Sequence, residues 1–302
     1  MKKTIALLGL LSLLSISGCK KADARKKNNY LESERIEYAL DEENNWYIVF
    51  KFISFFDENM NLTKRDIYKV KYGTKTLEYY GYETYTFDKN KNLVEMIEYL
   101  NDDVKDSRHV YNYDSNNRLT EYTFYDYFDD EKNEWVGNTK DTYKYKGNNA
   151  SECISYSYDD HTEKWDEWWK TTYKYDKKNN VIERKEDFYD NDKANWANRT
   201  KFELEYDNSS NNTLTKEYDY DASESKWNLV AKTEKEFDEK GSCIKETGYQ
   251  SNNDGEAWVI IEDACATYSY TYDSYGNVIG EEINNRYGKK KIELTLVRIN
   301  RD

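Results

Sequence analysis

Five tryptophans, Trp135, Trp165, Trp196, Trp227 and Trp258, stand 30, 31, 31 and 31 residues apart, and no other feature constrains the fold as tightly. A fixed period of this length marks an architecture made by setting one supersecondary unit beside the next. The unit is clearest in WDEWWKTTYKYDKKNNVIERKEDFYDNDKANW, from Trp165 to Trp196. A Trp leads to an aromatic-x-aromatic-Asp step, then an Asn-rich turn, a second alternating run, and an aromatic-Asp before the next Trp.

The turns begin at Asp57, Asp88, Asp114, Lys146, Asp176, Asp207, Asp238 and Asp273, with steps of 31, 26, 32, 30, 31, 31 and 35 residues. Trp46 opens the first full unit, after a half unit RIEYAL. Within a unit the hydrophobic period is two, which is the signature of strands. Alternation places Trp196, Asn198, Thr200, Phe202, Leu204 and Tyr206 on one face, and Trp165, Trp169, Thr171, Tyr173 and Tyr175 likewise. Three residues past the turn start come Asn117, Asn149, Asn179, Gly241 and Gly276, residue types that tolerate the left-handed backbone of a tight hairpin. Asp129, Asp159, Asp190 and Asp221 each precede a Trp by six residues and are suited to bonding loop amides.

The expected fold is all-β: an antiparallel meander of tandem β-hairpins of about 31 residues, in a twisted or curled extended sheet. Some 17–18 strands are foreseen, and so large a sheet must curl, split into layers or stack aromatic rungs to dry its apolar face. The first unit is apolar on both faces, with Tyr47, Val49, Ile53 and Phe55 against Ile48, Phe50, Phe52 and Phe56. That pattern asks for a cover, from the RIEYAL strand or the segment before it.

Charged residues make up 34% of the chain and mean hydropathy is −1.11, values that would normally suggest disorder. The 31 Tyr, 10 Phe and 8 Trp at alternating positions argue for a sheet instead, and the absence of proline suits long paired strands. A net charge of −14 disfavours nucleic acid, whose phosphates call for clustered Lys and Arg.

Residues 1–18, MKKTIALLGLLSLLSISG, have a basic start and an apolar core too short to span a bilayer, as a secretion signal does. Ile16-Ser17-Gly18-Cys19 resembles the lipobox of bacterial lipoproteins. The resemblance implies that Cys19 becomes a lipidated first residue whose acyl chains anchor the protein to a membrane. Residues 19–29 then form a basic tether with Lys20, Lys21, Arg25, Lys26 and Lys27, and residues 30–302 the hairpin domain. Lys20 at the second mature position favours the outer membrane, by analogy with enteric lipoproteins.

Tyr270-Thr-Tyr272-Asp273-Ser-Tyr-Gly276-Asn277-Val278 resembles the signature of YD repeats in RHS-type bacterial surface proteins, and Tyr173-Lys-Tyr175-Asp176 carries its core. The longer period and the Trp are more similar to repeats in surface lipoproteins of the Bacteroidetes type. Both resemblances imply an extracellular β-repeat scaffold, without a catalytic motif.

His109 and His161 occupy non-equivalent positions, which disfavours a His-based triad or zinc site. The acidic loops at Phe128–Glu131 and Asn252–Glu256 read as turns in preference to calcium sites. Cys153, Cys243 and Cys265 remain after lipidation, and a Cys243–Cys265 disulfide would need a bulge. No catalytic residue, metal or cofactor is expected. The expected function is a non-enzymatic, membrane-anchored surface lipoprotein acting as a binding or structural scaffold. A carbohydrate-binding or carbohydrate-processing protein is the alternative, with Trp135, Trp165, Trp196, Trp227 and Trp258 as stacking aromatics. A glycan or protein ligand is thus foreseen, and the oligomeric state is left open.

Overall fold

The computed structural model describes residues 30–251 and 257–298. The expected signal, Cys19 and the tether lie outside the described residues, as does the Asn252–Glu256 loop. Eighteen strands follow one another. The first nine are β1 (Tyr30–Leu40), β2 (Trp46–Phe56), β3 (Leu62–Val70), β4 (Leu77–Phe87), β5 (Leu93–Leu100), β6 (Lys105–Tyr113), β7 (Leu119–Asp129), β8 (Glu134–Lys146) and β9 (Asn149–Asp159). The rest are β10 (Lys164–Tyr175), β11 (Val181–Asp190), β12 (Asn195–Tyr206), β13 (Asn212–Asp221), β14 (Lys226–Phe237), β15 (Cys243–Ser251), β16 (Trp258–Tyr272), β17 (Val278–Asn285) and β18 (Gly288–Arg298).

Every strand pairs antiparallel with its chain neighbours, and β1 pairs with β18 as well as β2. The meander is therefore a closed barrel, and the expected open, curled sheet is corrected on that point. Closure solves the physical problem that the sequence left open, because it removes both free edges of a long sheet. It also excludes RIEYAL as the cover for the first unit, since β1 lies beside β2 in the ring and not over its face; the segment before it lies outside the described residues.

Neighbouring hairpins are staggered. Tyr143 on β8 faces Cys153 on β9, which faces Thr171 on β10, although the repeat equivalent of Tyr143 is Tyr173. A stagger of this sense, repeated around the ring, gives barrel strands their tilt.

The face assignment read from simple alternation does not hold, because the even strands from β2 to β16 are each bulged in their first half. On β10, Glu167 faces Tyr156 and Trp169 faces Ser155, so Trp168 is an extra residue. On β12, Asn198 faces Asp187 and Thr200 faces Glu186, with Arg199 extra. Val49, Tyr80, Asp106 and Val230 are the counterparts on β2, β4, β6 and β14. The bulge inverts the alternation, so Trp165 and Trp196 lie opposite Tyr173 and Phe202. A bulge also bends a strand and increases its twist, as closure of a large sheet requires.

At one end of the barrel the turns share one device. Asp176 Oδ1 accepts the backbone N–H groups of Lys178 and Asn180, both at 2.8 Å, and Oδ2 accepts Asn180 Nδ2 at 2.9 Å. Asp57, Asp88, Asp207 and Asp273 repeat the arrangement. The residue before each i+4 partner has positive φ, as expected at Asn117, Asn179, Gly241 and Gly276, but also at Met60, Lys91 and Ser210. Asn149 departs from the expectation: where Lys146 replaces Asp the turn is shorter, Gly147 takes the positive φ, and Asn149 opens β9. At the other end, Asp129, Asp159, Asp190 and Asp221 each accept two loop amides, as expected.

Candidate functional site

The two faces of the wall carry different chemistry. The groups whose titration burial displaces furthest, among them Tyr85, His109, Tyr122, Tyr143, Cys153 and Tyr173, share one face by register. That face is the interior. The other carries Lys– and Arg–carboxylate pairs around the ring, including Lys51–Glu34, Arg108–Glu95, Lys174–Glu183, Lys201–Glu203 and Lys232–Glu234.

The predicted aromatic residues are on the outer face, in a belt near the end opposite the Asp57-type turns. Trp135, Trp165, Trp196 and Trp227 contact Phe128, Tyr158, Tyr189 and Tyr220 of the preceding strand at 5.2, 5.0, 5.1 and 5.0 Å between ring centres. All five predicted Trp residues, Trp258 included, are half-buried. Gly137 is small for a reason: a Cβ there would stand 2.8 Å from the Trp165 ring.

Sequence reasoning missed the partner on the open side of each ring. Lys140, Lys170, Lys201 and Lys232 stand 5.0, 4.7, 5.8 and 5.2 Å from the ring centres of Trp165, Trp196, Trp227 and Trp258. Each of these lysines follows one Trp by five residues and covers the Trp of the next hairpin. That spacing was the available signal. Lys105 and Lys291 cover Trp135 and Trp46 in the same way, at 5.9 and 5.8 Å. A cation over an indole is favourable, and its aliphatic stem adds packing.

The interior holds several groups whose titration burial shifts. His109 Nδ1 lies 2.7 Å from the Tyr122 hydroxyl, and burial holds its pKa down, at about 4. The Cys153 thiol is pushed up to about 12 by burial and then by the Asp141 charge, the reverse of an activated thiolate. Asp141, Glu98, Glu186 and Glu217 are all raised, each first by burial. His161 sits in an exposed turn beside Asp160. Among the described residues, no three His, Cys, Asp or Glu side chains converge as a metal site.

No disulfide joins Cys243 and Cys265. Lys245 on β15 faces Thr267, which places Cys243 beyond Cys265 along the pair, and Cys265 lies within the bulge its thiol closes onto Ile261 O at 3.2 Å.

No protein-family model matches the sequence, and no curated protein matches it. Among solved structures, a porin-like protein from Bacteroides uniformis aligns at 11% identity and a TM-score of 0.42, covering 88% of this chain and 98% of that one. A porin-like protein from Bacteroides vulgatus aligns at 12% and 0.34, over 87% and 97% of the two chains. A protein of unknown function from Bacteroides fragilis gives 13% and 0.36, over 41% and 87%. At these scores the likenesses carry no argument. The conclusion that stands is an 18-stranded antiparallel barrel, established by the β1–β18 pairing.

Proposed function

We propose that this protein is a non-catalytic barrel of the bacterial cell envelope, anchored through a lipid on Cys19 and serving as a binding or structural scaffold. The observation that carries the reading is the outer face. A barrel embedded in lipid needs an outward apolar band, and each Lys or Arg near the bilayer midplane costs about 2–4 kcal/mol. Here Lys170, Lys185, Lys201, Lys216 and Lys232 lie on that face within the strands, beside Asp187, Glu203, Glu205 and Glu234. Such a wall favours water, so attachment falls to the chain ahead of Tyr30.

That chain enters at a defined place. β1 begins at Tyr30 at the end bearing the Asp57-type turns, and Leu40 faces Trp46 at the opposite end. The basic residues between Cys19 and Tyr30 would then meet anionic headgroups, and the barrel would stand on its Asp-turn end with the Trp belt away from the membrane. Fractionation tests this. Cys19→Ala should move the folded barrel into the soluble fraction. Carbonate-resistant membrane integration of the Cys19→Ala protein would overturn it and favour a barrel inserted in the bilayer.

In this reading the Trp belt is structural, since its rings are half-buried and covered by lysine. Probing a glycan array with residues 28–302 tests the carbohydrate alternative. Glycan binding that disappears in a folded Trp196→Ala variant would make the belt a ligand platform after all.

A further inference from the structure

We infer that the rim of the Asp-turn end beside the chain entry is a lipid-contacting foot, built from Phe55, Met60, Tyr275 and Val297 and seated on a phospholipid surface. It rests on the lipid-anchored reading above and adds the patch by which the barrel meets the bilayer.

Eight turns stand at that end, and six of them hold only polar residues and glycine, as in Lys177-Lys178-Asn179 and Asn208-Ser209-Ser210. The two exceptions carry Met60, between β2 and β3, and Tyr275, between β16 and β17. These turns flank the seam where β1 starts and β18 ends. Tyr275 is 66% exposed, and Met60 is exposed as well. Folding asks for neither. Met60 has φ of 62°, in the left-handed region that other turns give to Asn117, Asn179 and Gly241. Methionine is poorly suited to that backbone, and its side chain covers no core there. Tyr275 packs on Tyr30 at 5.9 Å between ring centres, which joins the turn tip to the first residue of β1.

The flanking strands widen the patch. Thr295 faces Glu34, whose carboxylate meets Lys51 on the outer face, so Val297, two residues on, also points outward. Ile53 faces Glu34 from the other side, and Phe55 follows it outward on β2. Both Val297 and Phe55 are exposed. Neighbouring exposed apolar side chains of this kind mark a contact surface.

The chain that enters between them selects lipid as the partner. Eleven steps separate Cys19 from Tyr30, at most about 40 Å of extended chain, so this rim stays close to whatever surface Cys19 enters. Lys20, Lys21, Arg25, Lys26 and Lys27 suit anionic headgroups. In the two turns, Asp57 and Asp273 hold Oδ1 on backbone amides at 2.8–2.9 Å, which leaves Glu58 as the one charged tip residue. Tyr and Met at headgroup depth bury apolar atoms while the Tyr hydroxyl stays in water.

Photolabelling tests the foot independently of the natural lipid. Residues 20–302, with a hexahistidine tag in place of Cys19, are held on phosphatidylcholine vesicles by a nickel-chelating lipid and irradiated with a phosphatidylcholine bearing an acyl-chain diazirine. Mass spectrometry should find the label concentrated on Phe55, Met60, Tyr275 and Val297. The double variant Met60→Ser/Tyr275→Ser should lower labelling of Phe55 and Val297 by about ten-fold, the scale of one apolar side chain withdrawn from lipid, without lowering the melting temperature. Label spread evenly over the eight turns, or centred on Tyr72, Val259 or Ile260 at the Trp end, would overturn the inference. Labelling of Phe55 and Val297 that the double variant leaves unchanged would reduce it to proximity of the tag. A dimer in solution that the double variant dissolves would give the patch to a second copy instead. A native Cys19 found without acyl chains would end the anchoring reading and leave the labelling result standing.

Discussion

The ammonium of Lys170 stands 4.7 Å from the centre of the Trp196 ring and 3.6 Å from the Asp187 carboxylate, so one side chain on β10 ties down the two strands that follow it. Lys185 meets the same carboxylate at 3.1 Å, and Asp187 is only 4% exposed. The equivalent lysines of the next units, Lys201 and Lys232, also cover a Trp of the following hairpin, but pair with a carboxylate two residues on in their own strand, Glu203 and Glu234.

Removing either partner should therefore cost more than a surface change. Trp196→Ala is expected to destabilise by about 2–3 kcal/mol, somewhat below the value for a fully buried Trp. Asp187→Ala should cost about 1–3 kcal/mol, since it leaves two lysines without their shared carboxylate. Glu205→Ala, whose carboxylate is 57% exposed, should stay within about 0.5 kcal/mol. Urea midpoints of the three variants check the order, and an equal cost for all three would remove the belt from the stability of the barrel.

The turn positions predict opposite signs for glycine exchange. Met60 has φ of 62° and Gly276 has φ of 83°, both in the left-handed region. Met60→Gly should stabilise by about 1 kcal/mol, while Gly276→Ala should destabilise by about 1–2 kcal/mol for conformational reasons alone, since a Cβ there meets nothing within 4 Å. Thermal melts of both variants read the two shifts.

Two sets of carboxylates give stability opposite dependences on pH. At Asp57, Asp88, Asp176 and Asp207 the pKa is lowered, first by the backbone N–H four residues on. Their contribution is present above the unfolded value of about 3.9 and is lost as pH falls through the folded one. Glu98 is raised above 4.5 by burial and then by the charges of Glu83 and Asp106, so its contribution is present at low pH and is lost as pH rises through its folded pKa. Asp141, Glu186 and Glu217 act with it. Stability should peak in mildly acidic solution, and Glu98→Gln should raise the urea midpoint at pH 7 while leaving it nearly unchanged at pH 4. A midpoint at pH 7 that Glu98→Gln leaves alone would contradict the assignment.

Cys153 should report on opening of the wall. It is buried, and its thiol is pushed up to about 12. In the folded protein it should react with a maleimide at least about a hundred-fold more slowly than the half-exposed Cys265, and at the same rate once unfolded. Mass spectrometry of time-resolved labelling distinguishes the two sites.

Much of this barrel is legible in the sequence. The Trp spacing and period-two alternation define the hairpins, and Asp176-type turns follow from residues that bond amides and tolerate positive φ. These are local properties, set by neighbours along the chain. What the sequence leaves out is decided by contacts between residues far apart in it. Alternation put Trp165 with Tyr173, yet the extra residue Trp168 sends them to opposite faces, because a bulge is defined by the partner strand and not by its own residues. The lysine on each Trp belongs to the preceding hairpin, so its role appears only when hairpins stand side by side. Closure itself rests on Arg35 facing Leu294 across the chain's two ends. Residue order along the chain is enough to set the unit and its turns. Only the pairing of β18 with β1 brings the last unit to the first, since a ring alone leaves no edge unpaired, and with the ring came an inside and an outside.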